Sequence, residues 1–505
     1  MPNLVPASSD RPAQPTVAPL PSTQRSAVAR AFRLALSLSV SVPLVACGSV
    51  QKVRNLVEGP PSPYLAGYIG NVVADEPVAA LTGRDVLARG GNAADAAAAI
   101  GMALAVTLPS RASLGGGGAC LAYKPGGNRA PEAFLFVPVG GSGAAGVASG
   151  RPAAVPMTAR GLFLMQARYG SVAFEDLVKP AARLARSGVT VSRALADDLD
   201  AVRGPLLADA GARAIFAAGG TPVAAGDQLV QPDLAFTLDR LALAGVGDLY
   251  TGLLWQQFTD GADAAGGGLT RADIRDSVPS ETTPLLVAGE RGDGGAARVA
   301  FLPPPADGGL GAAAAFRASE AGGDGGTIAN AIVGAWRASH PVGANSGNDT
   351  AEAQSALDNL GSQVAGTLGR LPASTAFTVI DRNGGAVACA LTMDNLFGTG
   401  RVAGQTGIVL AASPARFPRP LLAAAIAWNP NAGSFRAAIA GSGQNDAAAA
   451  VGAAMARALR GEPTAPVTDT GRVNAIVCPH GLPGDHSACV ASSDPRGAGL
   501  ATRSD

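Results

Sequence analysis

Residues 371–385, LPASTAFTVIDRNGG, place two hydroxyl side chains directly before a predicted strand. Ser374 and Thr375 precede the alternating apolar run AFTVI, which ends in the turn sequence DRNGG. One interpretation is an ordinary turn, in which a Ser or Thr side chain bonds the nearby backbone as the strand opens. The other is a nucleophile that is released when the chain in front of it is cut.

A hydroxyl in such a position can cut its own chain and then catalyse without a histidine. It attacks the carbonyl of the preceding residue to give an ester, and hydrolysis of that ester frees its α-amine. An α-amine has an ordinary pKa of about 7.7–8.0, so it can serve as general base for its own hydroxyl. Because His340, His480 and His486 lie in loop-like stretches, a Ser-His-Asp triad has little support.

The segments before this strand predict a helical region. A helical hairpin is expected first: one helix begins at Pro77 and ends at Gly90, and the next is capped by Asn92 and runs to about Thr107. The glycine run in ASLGGGGACLAY follows, and it permits close approach of backbones. Residues 160–275 carry the 3.6-residue period of helices. Long loops are expected in residues 307–370, where Gly, Ala and Ser dominate and the periodicity is weak.

The segments from Ala376 onward predict an antiparallel sheet. Five short apolar runs are separated by Asn, Gly and Pro turns: AFTVI, AVACAL, IVLA, AAIAW and FRAAIA. One further helix is expected over residues 446–460. Helices first and strands later indicate a layered α+β fold.

Composition limits the partners of the chain. With 505 residues, of which 47% are hydrophobic, the chain can bury one large core or two moderate ones. Lys plus Arg equals Asp plus Glu at 38 each, so no basic surface is available for nucleic acid.

The N-terminal sequence RSAVARAFRLALSLSVSVPLVACGSV predicts export. Three arginines precede an apolar stretch, residues 34–46, that is too short to span a bilayer comfortably and is typical of a signal peptide. The ending LVAC is similar to a bacterial lipobox, so residues 1–46 are interpreted as a lipoprotein signal and Cys47 as a lipidated membrane anchor. A plain signal peptide or a buried helix is the alternative.

Cysteine spacing raises a choice between a disulfide and a metal site. Besides Cys47, the chain has Cys120, Cys389, Cys478 and Cys489, and the last two flank CPHGLPGDHSAC, which also contains two histidines. In an oxidising compartment a Cys478–Cys489 disulfide is the favoured interpretation. A tetrahedral zinc site is the alternative, and neither a metal nor a cofactor is predicted.

Taken in order, several motifs resemble the gamma-glutamyltransferase family of N-terminal-nucleophile hydrolases. The similarity runs from about residue 70 to the ending DPRGAGLA, through ARGGNAADAA, LGGGGACL, YGSVAFEDLVKPAARLARSG, GDQLVQPDLAFTL, LPPPADGG, FTVIDRNGGAV and FGTGRVAGQTGIVL. This resemblance implies a four-layer αββα sandwich made from a precursor that cuts itself. It implies a large-subunit region, residues 47–373, and a small-subunit region, residues 374–505.

The resemblance also implies roles for particular hydroxyls. Aligning VIDRNGGAV without a gap places Ser374 at the family's catalytic threonine and Thr375 at the threonine that follows. Thr392 then falls on the second threonine that steadies the nucleophile. Serine departs from this family, although other N-terminal-nucleophile enzymes use it. A shift of one residue would make Thr375 the nucleophile, but the spacing to Thr392 would then fail.

The substrate-binding positions depart from the family pattern. The family holds the α-carboxylate and α-amine of a glutamyl group. Because a buried carboxylate without a partner costs several kcal/mol, we expect that this pocket does not bind a γ-glutamyl group in the family's way. The oxyanion segment GSGQN keeps Gly441 and Ser442, and backbone amides of Gln444 and Asn445 can still donate. The replacements are Val137 for an arginine, Asp394 for an asparagine, Arg416 for an aspartate, and Leu422 and Ala423 for two serines.

Two hypotheses of different class follow. The first is an exported, periplasmic and membrane-anchored amidohydrolase or acyltransferase that processes itself and acts on a small amide or peptide, with a substrate pocket that has diverged. The second is a catalytically inactive, membrane-tethered binding or structural protein on the same fold. A zinc protein built on the Cys/His cluster is a third, weaker interpretation.

Overall fold

The computed structural model describes residues 64–126, 129–143, 150–289, 296–342, 347–361, 366–466 and 468–503. The predicted signal peptide and Cys47 lie outside these residues. Within the described ranges, none of the helices combines the length and the apolar character needed to cross a bilayer.

Two antiparallel sheets form the centre of the fold. The strand order is β15-β1-β9-β10-β2-β3-β6 in the seven-stranded sheet and β14-β13-β12-β11-β8-β7 in the six-stranded sheet, and β4 and β5 form a separate pair. The strands are β1 (Gly70–Ala74), β2 (Gly117–Tyr123), β3 (Glu132–Phe136), β4 (Val189–Thr190), β5 (Gln228–Leu229), β6 (Ser280–Thr282), β7 (Leu285–Ala288), β8 (Arg298–Phe301), β9 (Ser374–Asp381), β10 (Ala386–Thr392), β11 (Ala423–Asn429), β12 (Ser434–Ser442), β13 (Arg472–Leu482), β14 (Val490–Ser493) and β15 (Leu500–Thr502).

Helices cover the outer faces of both sheets. The helices are α1 (Pro77–Ala88), α2 (Ala93–Thr107), α3 (Thr158–Tyr169), α4 (Phe174–Ser187), α5 (Arg193–Leu207), α6 (Ala210–Phe216), α7 (Pro232–Ala244), α8 (Asp248–Thr251), α9 (Leu253–Ala264), α10 (Arg271–Asp276), α11 (Gly308–Glu320), α12 (Gly325–Ser339), α13 (Asp349–Asp358) and α14 (Ala447–Leu459). Short 3₁₀ turns occur at Gly404–Thr406 and Gln444–Asp446.

Three apolar cores separate four layers. One core lies between helices such as α2 and the seven-stranded sheet, where Phe377 and Val379 of β9 contribute. The second lies between the sheets and includes Ala376 and Ile380 of the same strand. The third joins the six-stranded sheet to α11, α12 and α14. This arrangement is the predicted four-layer αββα sandwich.

The predicted helical hairpin is confirmed. Helix α1 begins at Pro77, and α2 has a capping box in which the Asn92 side chain accepts from the amide of Asp95 while Asp95 accepts from the amide of Asn92. Such reciprocal bonds satisfy amides that a helix leaves unpaired at its start. The predicted last helix is also present, as α14.

The prediction of long loops over residues 307–370 is wrong. The helices α11, α12 and α13 occupy much of this region. Helix α11 is buried from Gly308 to Phe316, and a Cβ on Gly452 of α14 would lie 2.4 Å from the Ala312 carbonyl oxygen. Small residues are therefore required where the two helices touch. A helix buried on nearly all sides shows little amphipathic periodicity.

The apolar run IVLA, residues 408–411, is not a regular strand, contrary to the prediction. Its residues make isolated bridges instead, from Val409 to Val402 and from Leu410 to Gly115. The run is apolar because it is buried, and burial alone does not distinguish a strand from an irregular core segment.

Two disulfides are present among the residues that the structure describes. Cys478 and Cys489 are joined, as the spacing favoured, and Cys120 of β2 is joined to Cys389 of β10. Cys120 and Cys389 lie directly opposite each other in the antiparallel register of β2 and β10. Residues so far apart in sequence could be paired only once the strand order was known.

Candidate active site

Ser374 and Thr392 lie opposite each other at one end of the central hairpin. Ser374 is the first residue of β9 and Thr392 is the last of β10, and the antiparallel register pairs them directly. Opposed residues in such a pair have Cβ atoms about 4.5–5.5 Å apart. Both side chains are buried.

Strand alternation separates Ser374 from Thr375. Ala376 of β9 and Ala390 of β10 belong to the core between the sheets, so Ser374 and Thr392 share that face. Alternation directs the Thr375 side chain away from that face, and its hydroxyl donates to Asp75 Oδ2 at 3.1 Å. The geometry therefore supports the register in which Ser374, and not Thr375, meets Thr392.

The glycine run before β2 brings a loop against this end of the hairpin. A Cβ on Gly116 would lie 2.4 Å from the Thr392 carbonyl oxygen, and one on Gly117 would lie 2.2 Å from the Phe136 carbonyl oxygen. Any side chain at these positions would force the backbones apart.

The predicted oxyanion segment begins at the end of β12, whose last two residues are Gly441 and Ser442. The strand ends at Ser442, and the chain then takes left-handed dihedrals at Gly443 (φ 111°) and Gln444 (φ 55°) before α14 begins. Gln444 and Asn445 open a 3₁₀ turn, where the first N–H groups have no partner within the helix. A left-handed dihedral costs a residue with a side chain about 1–2 kcal/mol. Gln444, rather than Asn445, carries this strain.

The side chain of Asn445 has a role that the sequence did not reveal. Its Oδ1 accepts from the Leu371 amide at 3.1 Å, and its Nδ2 donates to the Gly369 carbonyl at 2.9 Å. Asn445 therefore holds the segment immediately before Ser374. No local motif could have indicated this contact, because the partners are about seventy positions apart.

Asp394 is a buried carboxyl group beside the hairpin end. Its amide donates to Thr392 Oγ1 at 2.8 Å, and its backbone is left-handed with φ 55°. Both of its carboxyl oxygens are buried without a hydrogen-bond partner among the described residues. Burial raises the pKa of Asp394 well above its usual range, although the charges of Arg419 and Arg337 favour ionisation.

Replacing Asp394 by asparagine is expected to change how stability depends on pH. Because the native pKa is raised, the folded protein keeps a proton that the unfolded chain loses above about pH 3.9. The free energy of unfolding of the wild type therefore falls as pH rises through that native pKa. Asparagine does not titrate and tolerates left-handed dihedrals. The free energy of unfolding of Asp394→Asn, relative to that of the wild type, should therefore increase from about pH 4 to neutral pH.

Urea unfolding of both proteins across this pH range measures the difference. A difference in unfolding free energy that stays constant with pH would mean that the carboxyl group ionises normally in the native state.

Arg416, which the sequence placed in the substrate pocket, is exposed on a turn after Ser413. Arg419 lies three residues further along the same loop, and, against the effect of burial, its positive charge lowers the pKa of Asp394. Leu422 and Ala423, at the positions of the family serines, are buried in apolar cores. Neither offers a polar contact to a substrate.

A buried ion pair fixes the loop that carries Arg419. Arg337 of α12 donates to both carboxylate oxygens of Asp307 at 2.7 Å, and to the carbonyl oxygens of Arg419 at 3.0 Å and Pro420 at 3.5 Å. The Asp307 side chain is 1% exposed. This pair could not be predicted from the sequence pattern, because the weak periodicity of this region indicated loops.

A cavity of about 270 Å³ adjoins this loop. Its walls are largely apolar, with Val137, Pro138, Pro304, Pro305 and Trp336 among them, and its titratable lining residues are His340, Asp349 and Arg419. A larger cavity, of about 590 Å³, is lined by Asp381 and Asn383 at the other end of β9. That end is roughly 23 Å from Ser374 at the usual rise of a strand, so the larger cavity lies away from the site. The smaller cavity is connected to the site through Arg419, whose charge acts on Asp394.

A zinc site is not supported among the described residues, which contain no cluster of three or more metal-ligating side chains. The thiols of Cys478 and Cys489 are consumed by their disulfide. His480 bonds Asp485 at 2.9 Å, and His486 stacks on Tyr68.

The fold is shared with a solved structure, the crystal structure of cephalosporin acylase from Bacillus halodurans. The TM-score is 0.67 at 20% identity, with 88% of this chain and 98% of the other covered. This similarity confirms the predicted fold class, a layered α+β sandwich.

Sequence comparison identifies the family. Residues 79–322 match the family model described as Gamma-glutamyltranspeptidase. The glutathione hydrolase proenzyme of Escherichia coli (strain K12) is 31% identical over 390 residues, which cover 68% of this chain and 65% of that protein. The acylase ACY 1 proenzyme of Pseudomonas sp. (strain SE83) is 31% identical over 228 residues, 41% of each chain. The chain belongs to the gamma-glutamyltranspeptidase family.

The chain does not align with these relatives over their whole length. It spans 65% of the Escherichia coli protein and 50% of the glutathione hydrolase proenzyme of Bacillus subtilis (strain 168), to which it is 30% identical over 302 residues, 56% of this chain.

Proposed function

We propose that the chain is an exported precursor that cuts itself between Ala373 and Ser374 and then hydrolyses or transfers an acyl group from an amide. The observation that carries this proposal is the pairing of Ser374 with Thr392 on the face between the sheets. Relatives that are named glutathione hydrolase proenzyme and acylase proenzyme support the same reaction class.

The cut begins when Ser374 Oγ attacks the carbonyl carbon of Ala373. The peptide C–N bond breaks as the ester forms, and the proton of the hydroxyl passes to the nitrogen, which becomes the free α-amine of Ser374. Water then hydrolyses the ester, which leaves a carboxylate on Ala373 and restores the Ser374 hydroxyl. Thr392 Oγ1 already accepts a hydrogen bond from the Asp394 amide, so its own proton remains available to steady Ser374 Oγ.

The same groups support turnover of an amide substrate. The α-amine takes the proton from Ser374 Oγ as that oxygen attacks the substrate carbonyl, and it passes the proton to the leaving amine. The amides of Gln444 and Asn445 stabilise the oxyanion. Water or an acceptor amine then releases the acyl group from Ser374.

The proposed substrate is the amide of an apolar acyl group with an acidic end. The small cavity has walls formed by Val137, Trp336 and several prolines. The basic side chains in its lining are Arg419 and His340, together with one carboxyl group, that of Asp349. A γ-glutamyl group fits poorly, because Asp394 places a buried carboxyl where the family uses an asparagine, and Arg416 is exposed.

An oxidising compartment is proposed for the mature protein. Both disulfides among the described residues support export, since such bonds persist outside the reducing cytosol. The N-terminal signal agrees with this location, and lipidation of Cys47 is proposed as the membrane anchor.

Self-cleavage is tested by N-terminal sequencing of the purified protein. The gel must be run under reducing conditions, because the Cys120–Cys389 disulfide would join the two products. We expect two fragments, the smaller comprising residues 374–505 and beginning at Ser374. A single intact band after prolonged incubation would instead favour an inactive binding protein.

A further inference from the structure

We propose that Asp75 is a positioning residue for self-cleavage, which fixes the chain on the C-terminal side of the Ala373–Ser374 bond. The proposal rests on the function proposed above, but it concerns a residue outside the nucleophile and the substrate pocket. Asp75 directly follows β1, which lies beside β9 in the seven-stranded sheet.

Asp75 binds the two residues that follow the nucleophile. Its Oδ2 accepts from Thr375 Oγ1 at 3.1 Å and from the Ala376 amide at 2.9 Å. The Asp75 amide also donates to the Ala376 carbonyl at 3.3 Å. Both backbone polar groups of Ala376 are therefore held in place.

Asn474 links this contact to the other sheet. Asn474 lies on β13 of the six-stranded sheet and is 1% exposed. Its Nδ2 donates to Asp75 Oδ1 at 2.9 Å and to the Ala376 carbonyl at 2.8 Å. A carboxylate suits this site because it only accepts, and three donors converge on its two oxygens.

The chain on the N-terminal side of the bond is held by a different residue. Asn445 bonds Gly369 and Leu371, so both flanks of the bond to be cut are fixed at short range. Attack by Ser374 Oγ on the adjacent carbonyl carbon is possible only in a narrow range of backbone geometries. Holding the chain on both sides of the bond keeps the backbone within that range. Asp75 touches none of the reacting atoms and acts through Thr375 and Ala376.

A matched pair of valine substitutions on β9 tests the proposal. Thr375 and Thr378 are both buried, but only the Thr375 hydroxyl has a hydrogen-bond partner among the described residues. We expect Thr375→Val to slow conversion of freshly translated precursor about tenfold, as loss of a charge-assisted bond implies. Thr378→Val should cut at the wild-type rate, with intact mass as the readout.

Asp75→Asn should have the larger effect. The new amide group turns a donor either to Asn474 or to the two groups of β9, so at least one hydrogen bond is replaced by a contact between two donors. A shift of about 1 Å in a reacting group can cost about 100-fold, and we expect a slowing of that order. Hydroxylamine identifies the affected step, because it cleaves the ester but leaves the peptide bond intact. The variant should remain slow in hydroxylamine.

Several outcomes would overturn the proposal. It fails if folded Asp75→Asn, judged by its melting temperature, cuts as fast as the wild type, or if hydroxylamine restores the wild-type rate. It also fails if Thr378→Val slows the cut as much as Thr375→Val. If Asp75→Asn does not fold, the proposal is tested by comparing the cleavage rates of Thr375→Val and Thr378→Val. A wild-type precursor that stays intact would instead contradict the proposed function itself.

Discussion

Ser374→Ala is expected to leave the chain in one piece and to lower amide hydrolysis about 10⁴-fold or more, since loss of a nucleophile removes the covalent route. Alanine offers no oxygen to attack Ala373, and the uncut chain never exposes the α-amine that should act as base. The measurement is N-terminal sequencing together with amine release from a panel of N-acyl amides.

Ser374→Thr is the matched control, because it keeps a hydroxyl at the same position on β9. It should still be cut at the same bond. If Ser374→Ala is cut normally while Thr375→Ala is not, the nucleophile is one residue further along and the pairing with Thr392 has no catalytic meaning.

Asp307→Ala is expected to lower the free energy of unfolding by about 3–5 kcal/mol, the usual cost of leaving one member of a buried ion pair alone. Arg337 would keep its charge in a mostly buried position, without the two 2.7 Å bonds to Asp307. Urea unfolding measures the change. Activity should fall as well, because Arg337 also binds the loop that carries Arg419.

An exposed ion pair provides the control for this substitution. Asp260 pairs with Arg271 at 3.1 Å, and the two side chains are 70% and 50% exposed. Asp260→Ala should cost less than about 1 kcal/mol. Equal losses in the two variants would show that burial of the Asp307–Arg337 pair does not determine its contribution.

The parts of the fold that could be predicted are those encoded by neighbouring residues. The cap formed by Asn92 and Asp95 and the helix start at Pro77 need only local geometry. The strand after Ser374 was likewise visible as alternating apolar residues. These signals depend on backbone bonds between residues a few positions apart.

The parts that could not be predicted depend on contacts between distant segments. Asn445, Asp75 and Arg337 each act on a backbone or side chain brought near by the sheet order, so no spacing rule indicates them. Helix α11 could not be predicted for another reason. Its small residues pack closely against a neighbouring helix, so the helix has no polar face and its sequence lacks the 3.6-residue alternation of polar and apolar residues.

The order of strands determines what would become of the two fragments after the cut. Strand β9 of the small fragment lies between β1 of the large fragment and β10 of the small one, and β10 in turn pairs with β2 of the large fragment. The two fragments would therefore be interleaved, and the Cys120–Cys389 disulfide would join them covalently. Dilution cannot separate such halves, so specific activity should be independent of enzyme concentration.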